Sequence, residues 1–136
     1  SNEIKDYVSQ NNLNNCIYIY DSCNDVSNIL QQANIGVLAS TYEGFPVTLL
    51  EYGKASLIVV TTNVGYCSKI IKDNENGFLF NPLNFDDITL TLKRAVEGIE
   101  NKNEEFLKIG DDLFQSINDN FAENSVIQKY IDFIKN

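Results

Sequence analysis

Apolar positions along the chain fall into two spacings. In EIKDYVSQNNL, Ile4, Tyr7, Val8 and Leu13 recur at the interval that lines up side chains on one helical face. The NNLNN cluster then ends that pattern. CIYIY, residues 16–20, is β-branched and aromatic, and predicts a short buried strand. Asp25 stands as an N-cap ahead of Val26, Ile29 and Leu30, which predicts a short helix. IGVLAS, residues 35–40, predicts the next strand, and residues 41–46 a loop. Pro46 opens a helix to Ala55, in the position where its missing N–H costs nothing. LIVVTT is a third strand, NVGYC a turn about Gly65, SKIIKD a short helix ended by NENG, and GFLF a fourth strand. Beyond Pro82 the helical interval takes over: Ile88, Leu92, Ala95, Val96 and Ile99 share one face, and EEFLKIGDDLFQSI and NSVIQKYIDFI follow with similar spacing.

Four buried strands alternating with helices predict an α/β fold, a Rossmann-like parallel sheet flanked by helices, because parallel strands need crossover connections. Ligands of such sheets bind beyond the carboxyl ends of the strands. The loops 40–46 and 62–67 are both strand-end loops and are expected side by side.

Charge and residue usage narrow the chemistry. A formal net charge of −9 opposes binding to nucleic acid or an anionic membrane, since the long-range field repels phosphate. Any phosphate would be held locally, by amides and a few close cations. The chain has no His, which removes a Ser-His-Asp triad, a Cys-His pair and most zinc hydrolases. Cys16, Cys23 and Cys67 are odd in number and lack C-x-x-C spacing. They are expected to be free thiols acting as small buried hydrophobes, in a reducing cytoplasm. No apolar run approaches the roughly 20 residues that cross a bilayer.

The stretch TYEGFPVTLLEYG, residues 41–53, places Glu43 just before a helix start and Glu51 one turn inside it. With the helix opening at Pro46, Val47 and Thr48 carry amides without an intrahelical acceptor, beside the positive end of the helix dipole. That is an anion site suited to a diphosphate. Glu51 lies on the face of Val47 and Thr48, where a carboxylate can accept from a ribose diol. Glu43, on the loop side, suits the hydroxyls of a sugar hung from the outer phosphate, and Gly44 lets the backbone approach it. By spacing alone, both glutamates are equally at home as solvated charges favoured by the dipole.

EGFPVTLLE resembles the E-x7-E signature of the retaining glycosyltransferases of family four, which have the GT-B fold. The flanking segments, from NNCIYIYDSCNDVSNILQQANIGVLAS to LLEYGKASLIVVTTNVGYCSKIIKDNENGFLFNPLNFDDI and ENSVIQKYIDFI, resemble that family in order. The resemblance implies that residues 1–136 form the carboxyl-terminal, donor-binding domain of a two-domain enzyme. Such an enzyme transfers a sugar with retention from a nucleotide-diphosphate sugar, a UDP-sugar favoured, without a metal or other cofactor. The acceptor, a polysaccharide or glycolipid, is bound by the amino-terminal domain. The implied location is the cytoplasm, with the full-length enzyme at the inner face of the membrane. Carried over by position, Glu43 assists at the reacting centre, Gly44, Phe45 and Pro46 line the sugar pocket, and Val47 and Thr48 give amides to the diphosphate. Glu51 binds the ribose, and Gly65 allows close approach to the donor, unless it serves only a tight turn.

The match has gaps. Where the family has a Gly and a Pro ahead of its strand, this chain has Ser56 and Ile58, and the turn is expected to persist with different packing. Lys69 stands where an acidic residue is common and reads as a solvated charge. The family's domain opens with two more strands and a helix, carrying a Gly-Arg and a Lys that hold the diphosphate, and nothing here corresponds to them. The chain is therefore expected to transfer no sugar alone. The alternative from another class is a non-catalytic nucleotide-sugar-binding or regulatory module with the same fold. A nucleotide-sugar epimerase is disfavoured by the missing His, and a dinucleotide oxidoreductase by the missing G-x-G-x-x-G.

Overall fold

In a computed structural model, residues 2–122 are described. The elements run α1 (Asn2–Gln10), α2 (Val26–Leu30), β1 (Ile35–Leu38), α3 (Val47–Lys54), β2 (Ile58–Thr62), α4 (Cys67–Ile70), β3 (Phe78–Phe80), α5 (Phe85–Glu100) and α6 (Glu104–Phe121). The three strands form one parallel sheet in the order β1-β2-β3, with Ile35 opposite Ile58 and Val60 opposite Phe78. The outer edge of β1 pairs with no strand among the described residues. The predicted helix NSVIQKYIDFI lies outside those residues.

Side chains alternate across a strand, and β2 uses both faces. Val59 joins Leu49 of α3, Cys67 and Ile70 of α4, and Leu113 and Ile117 of α6 in one core. Ile58 and Val60 turn the other way, toward Phe78, Phe80 and Ala95 of α5. All five residues of β2 are buried, which explains its unbroken apolar and Thr sequence. Helix starts follow side-chain chemistry. Asp25 accepts from the Asn28 amide at 3.3 Å, Asn84 caps α5 through the Asp86 and Asp87 amides, and Asn103 caps α6.

The first of the four predicted strands is corrected. Residues 17–20 of CIYIY are irregular and exposed, not a buried strand. A strand needs a neighbouring strand for its amides and a cover for its faces; among the described residues no strand pairs with this run, and the Cys16 and Ile17 amides turn back to the Leu13 carbonyl instead. The face expected on α1 is corrected for the same reason: Val8 is buried, whereas Ile4 and Tyr7 stay exposed. The cysteines are free as expected, but only Cys67 is buried; Cys16 is exposed and Cys23 half-buried. No helix among the described residues is long and apolar enough to cross a membrane.

The turn after α3 persists, as expected from the Ser56 substitution. Ser56 sits at φ +53°, and its amide donates to the Gly53 carbonyl at 2.9 Å while that of Leu57 donates to Tyr52 at 3.1 Å. This pair of bonds is the Schellman closure, which favours glycine at the left-handed residue. Ser56→Gly should therefore raise stability by about 0.5–1 kcal/mol, because the left-handed region costs a residue with a Cβ more than glycine. A melting scan should show the midpoint rising by roughly 2–4 °C; an unchanged or lower midpoint would contradict the assignment of strain to Ser56.

Candidate functional site

The loops after β1 and β2 meet at the carboxyl end of the sheet, as the alternation of strands and helices requires. Gly65 has φ +51°, and a Cβ there would stand 1.7 Å from the Glu43 carbonyl oxygen. The second loop can pass only because Gly65 has no side chain. The Phe45 and Tyr66 rings lie 5.3 Å apart, and Phe45 also meets Phe121 at the end of α6, at 6.0 Å. Tilted aromatic contacts of this kind add to the apolar area they bury. The backbone of Glu43 is thus fixed by Gly65, and the following turn by aromatic packing.

The Glu43 side chain is half-buried, and its Oε1 accepts a hydrogen bond from the Ser40 hydroxyl at 2.6 Å. Cys67 lies on the inner side of this loop. Burial pushes its thiol pKa up, a bond involving Thr61 opposes the shift, and the negative charge of Glu43 adds to it. Its thiol is accordingly held protonated and inert, a packing group beneath the loop.

Pro46 is the N-cap of α3 rather than its first helical residue, and it is buried; Val47 is exposed and Thr48 half-buried. The Val47 amide donates to the Phe45 carbonyl at 3.1 Å and that of Leu49 to Pro46 at 3.0 Å. The two free amides expected at this tip reduce to one. Among the described residues, that of Thr48 meets no acceptor. Gly44 is exposed, with open space where a Cβ would stand.

Glu51 is exposed, one turn further along α3. It lines a cleft of about 210 Å³ between α2 and α3, together with Val26, Ser27, Leu30, Gln31, Lys54 and Ala55. Glu43 does not line this cleft. The cleft combines aliphatic walls with a carboxylate, an ammonium, an amide and a hydroxyl, a composition that suits a small polar ring system. Tyr52, next to Glu51, anchors α3 to β1: its ring packs where a Cβ on Gly36 would intrude, and its hydroxyl donates to Val37 at 3.2 Å. Burial raises the Tyr52 pKa, with the charge of Glu51 adding to the effect. Lys69 is exposed and forms no ion pair among the described residues.

Sequence reasoning did not single out Ser40 or the α2 side of the cleft. For Ser40 a signal existed, a serine three residues ahead of a glutamate, the spacing of a local side-chain hydrogen bond. For Ser27 and Gln31 none did, because their nearness to Glu51 depends on how α2 packs.

Comparison with known proteins agrees with this architecture. Over 97 residues the chain is 28% identical to a UDP-Gal:alpha-D-GlcNAc-diphosphoundecaprenol alpha-1,3-galactosyltransferase of Escherichia coli, covering 71% of this chain and 25% of that protein. Over 94 residues it is 30% identical to the putative glycosyltransferase EpsD of Bacillus subtilis (strain 168), covering 69% of this chain and 24% of that one. The chain thus spans about a quarter of the length of the curated relatives it matches. Among solved structures, a glycosyltransferase from Rickettsia africae ESF-5 superposes with a TM-score of 0.88 at 24% identity, over 98% of this chain and 35% of that one. Anabaena Alr3699/HepE, in complex with UDP, superposes with a TM-score of 0.85 at 16% identity, over 98% and 36%. The three-stranded parallel sheet flanked by helices is therefore part of a GT-B glycosyltransferase fold. The profile of the family described as "Glycosyl transferases group 1" matches residues 1–110, and the chain belongs to that family.

Proposed function

We propose that this chain is the donor-binding part of a retaining glycosyltransferase that moves a sugar from a UDP-sugar to a glycan or glycolipid acceptor in the cytoplasm. The observation that carries the reading is the start of α3, where the Thr48 amide lacks an acceptor, Glu43 stands on the loop before it, and Glu51 lines a cleft one turn beyond. The Thr48 amide and the helix dipole would receive the diphosphate. Glu51 would accept from the ribose hydroxyls, and Glu43 would accept from hydroxyls of the transferred sugar and stabilise charge at its reacting carbon. Phe45, Pro46 and Gly44 would shape the sugar pocket, and no metal ion would be needed. UDP is favoured because the E. coli relative is named for UDP-Gal and the Anabaena neighbour was solved with UDP. The acceptor class rests on the lipid-linked acceptor in the E. coli relative's name. The chain by itself would transfer no sugar, because the acceptor would bind to another domain.

A screen of UDP-, GDP- and ADP-sugars on the full-length enzyme, read as nucleotide release, should select a UDP-sugar and keep its signal in EDTA. Glu51→Ala should weaken UDP binding about tenfold or more, the scale of one charge-assisted hydrogen bond. Glu43→Ala should lower kcat about tenfold while leaving UDP affinity near that of the parent. Two variants indistinguishable from the parent, or a screen that selects no donor, would remove this reading.

A further inference from the structure

We infer that Ser40 is a positioning residue for Glu43, an inference that rests on the catalytic role proposed above for that carboxylate. The Ser40 hydroxyl donates to Glu43 Oε1 at 2.6 Å, at the short end of hydroxyl–oxygen hydrogen bonds. Both side chains are half-buried, so the bond is less diluted by water than a fully exposed one.

Its geometry settles which part of Glu43 remains mobile. The backbone carbonyl is pinned by the approach of Gly65, which leaves the side-chain torsions as the free variables. Ser40 lies only three residues earlier, at the end of the segment that leaves β1, so its position is inherited from the sheet. Bonding Oε1 to that fixed point removes rotamer freedom from Glu43 and leaves Oε2 to accept from a ligand. The sequence places Ser40 and Glu43 at the spacing of a capping box, but no helix begins at Ser40. Its hydroxyl is therefore used on the carboxylate instead of a helix amide. An oriented carboxylate contributes most when charge develops at the reacting carbon and little when the nucleotide merely binds.

This role separates from a general structural one in kinetics. With the donor selected by the screen, Ser40→Ala in the full-length enzyme should lower kcat three- to tenfold, with UDP affinity and melting temperature near those of the parent. Ser40→Thr, which keeps the hydroxyl, should recover most of the loss. In a Glu43→Ala background, Ser40→Ala should cost nothing further, because the bond it serves is gone. A kcat unchanged by Ser40→Ala, or a loss that persists undiminished in the Glu43→Ala background, would overturn the role of Ser40 while leaving that of Glu43 intact. Were Glu43→Ala itself silent, the parent reading would fall instead. A Ser40→Ala variant with a melting point lowered as much as its turnover would likewise assign Ser40 to stability, against the inference.

Discussion

Gly65→Ala is expected to destabilise the protein by about 2–4 kcal/mol, at the upper end of what single substitutions do. Two costs add. At φ +51° an alanine enters the left-handed region, worth about 1–2 kcal/mol against glycine. The larger difficulty is the new methyl, 1.7 Å from the Glu43 carbonyl oxygen and 2.8 Å from its carbonyl carbon. Those atoms belong to backbone, so no rotamer change relieves the overlap and one loop must leave the other. Urea denaturation measures the loss. Gly65→Asn divides the two causes, since asparagine tolerates the left-handed region but carries the same Cβ. Asparagine should be nearly as damaging as alanine; recovery of parental stability by asparagine would show that dihedral strain alone was at work. Because the displaced backbone is that of Glu43, turnover in the full-length enzyme should fall further than UDP affinity.

Gly110→Ala should also destabilise, by about 1–3 kcal/mol, although helix propensity predicts the opposite sign. Alanine is favoured over glycine inside a helix by about 1 kcal/mol. In α6, however, a Cβ on residue 110 would stand 2.3 Å from the Ser56 carbonyl oxygen and 3.0 Å from its carbon. That carbonyl belongs to the closure that ends α3, so α6 must back away and loosen Leu113 and Ile117 from the core. Thermal unfolding decides between the two effects: a midpoint above that of the parent would mean that the helix gains more than the contact loses.

Much of the fold was legible because its signals are local. The runs at 35–40, 57–62 and 77–80 became the strands Ile35–Leu38, Ile58–Thr62 and Phe78–Phe80, each apolar run bounded by turn residues. Asp25 capped its helix because the side-chain bond spans only three residues. CIYIY carried the same local signal and failed, since whether a β-branched run becomes a strand is decided by a neighbour elsewhere in the chain. Cys16, in that same segment, was exposed with it. At the candidate site the sequence located α3 to within one residue but counted two free amides where the backbone leaves one, because the Phe45–Pro46–Val47 turn folds back on itself. The contact of Gly65 with the Glu43 carbonyl joins residues 22 positions apart, and no spacing rule within either loop contains it.

The rim of β1, which meets no other strand among the described residues, has a bearing on how this stretch of chain can be handled. Unpaired peptide groups on a strand rim are a template on which a second molecule can add a strand, although here the Val37 carbonyl already accepts from the Tyr52 hydroxyl. The surplus of 19 acidic over 10 basic side chains keeps copies apart at neutral pH. That protection fades as the solution is acidified toward the isoelectric point near 4.3, or as salt shortens the reach of the charges. Concentrated stocks should therefore be kept well above that pH, where mutual repulsion keeps the molecules apart.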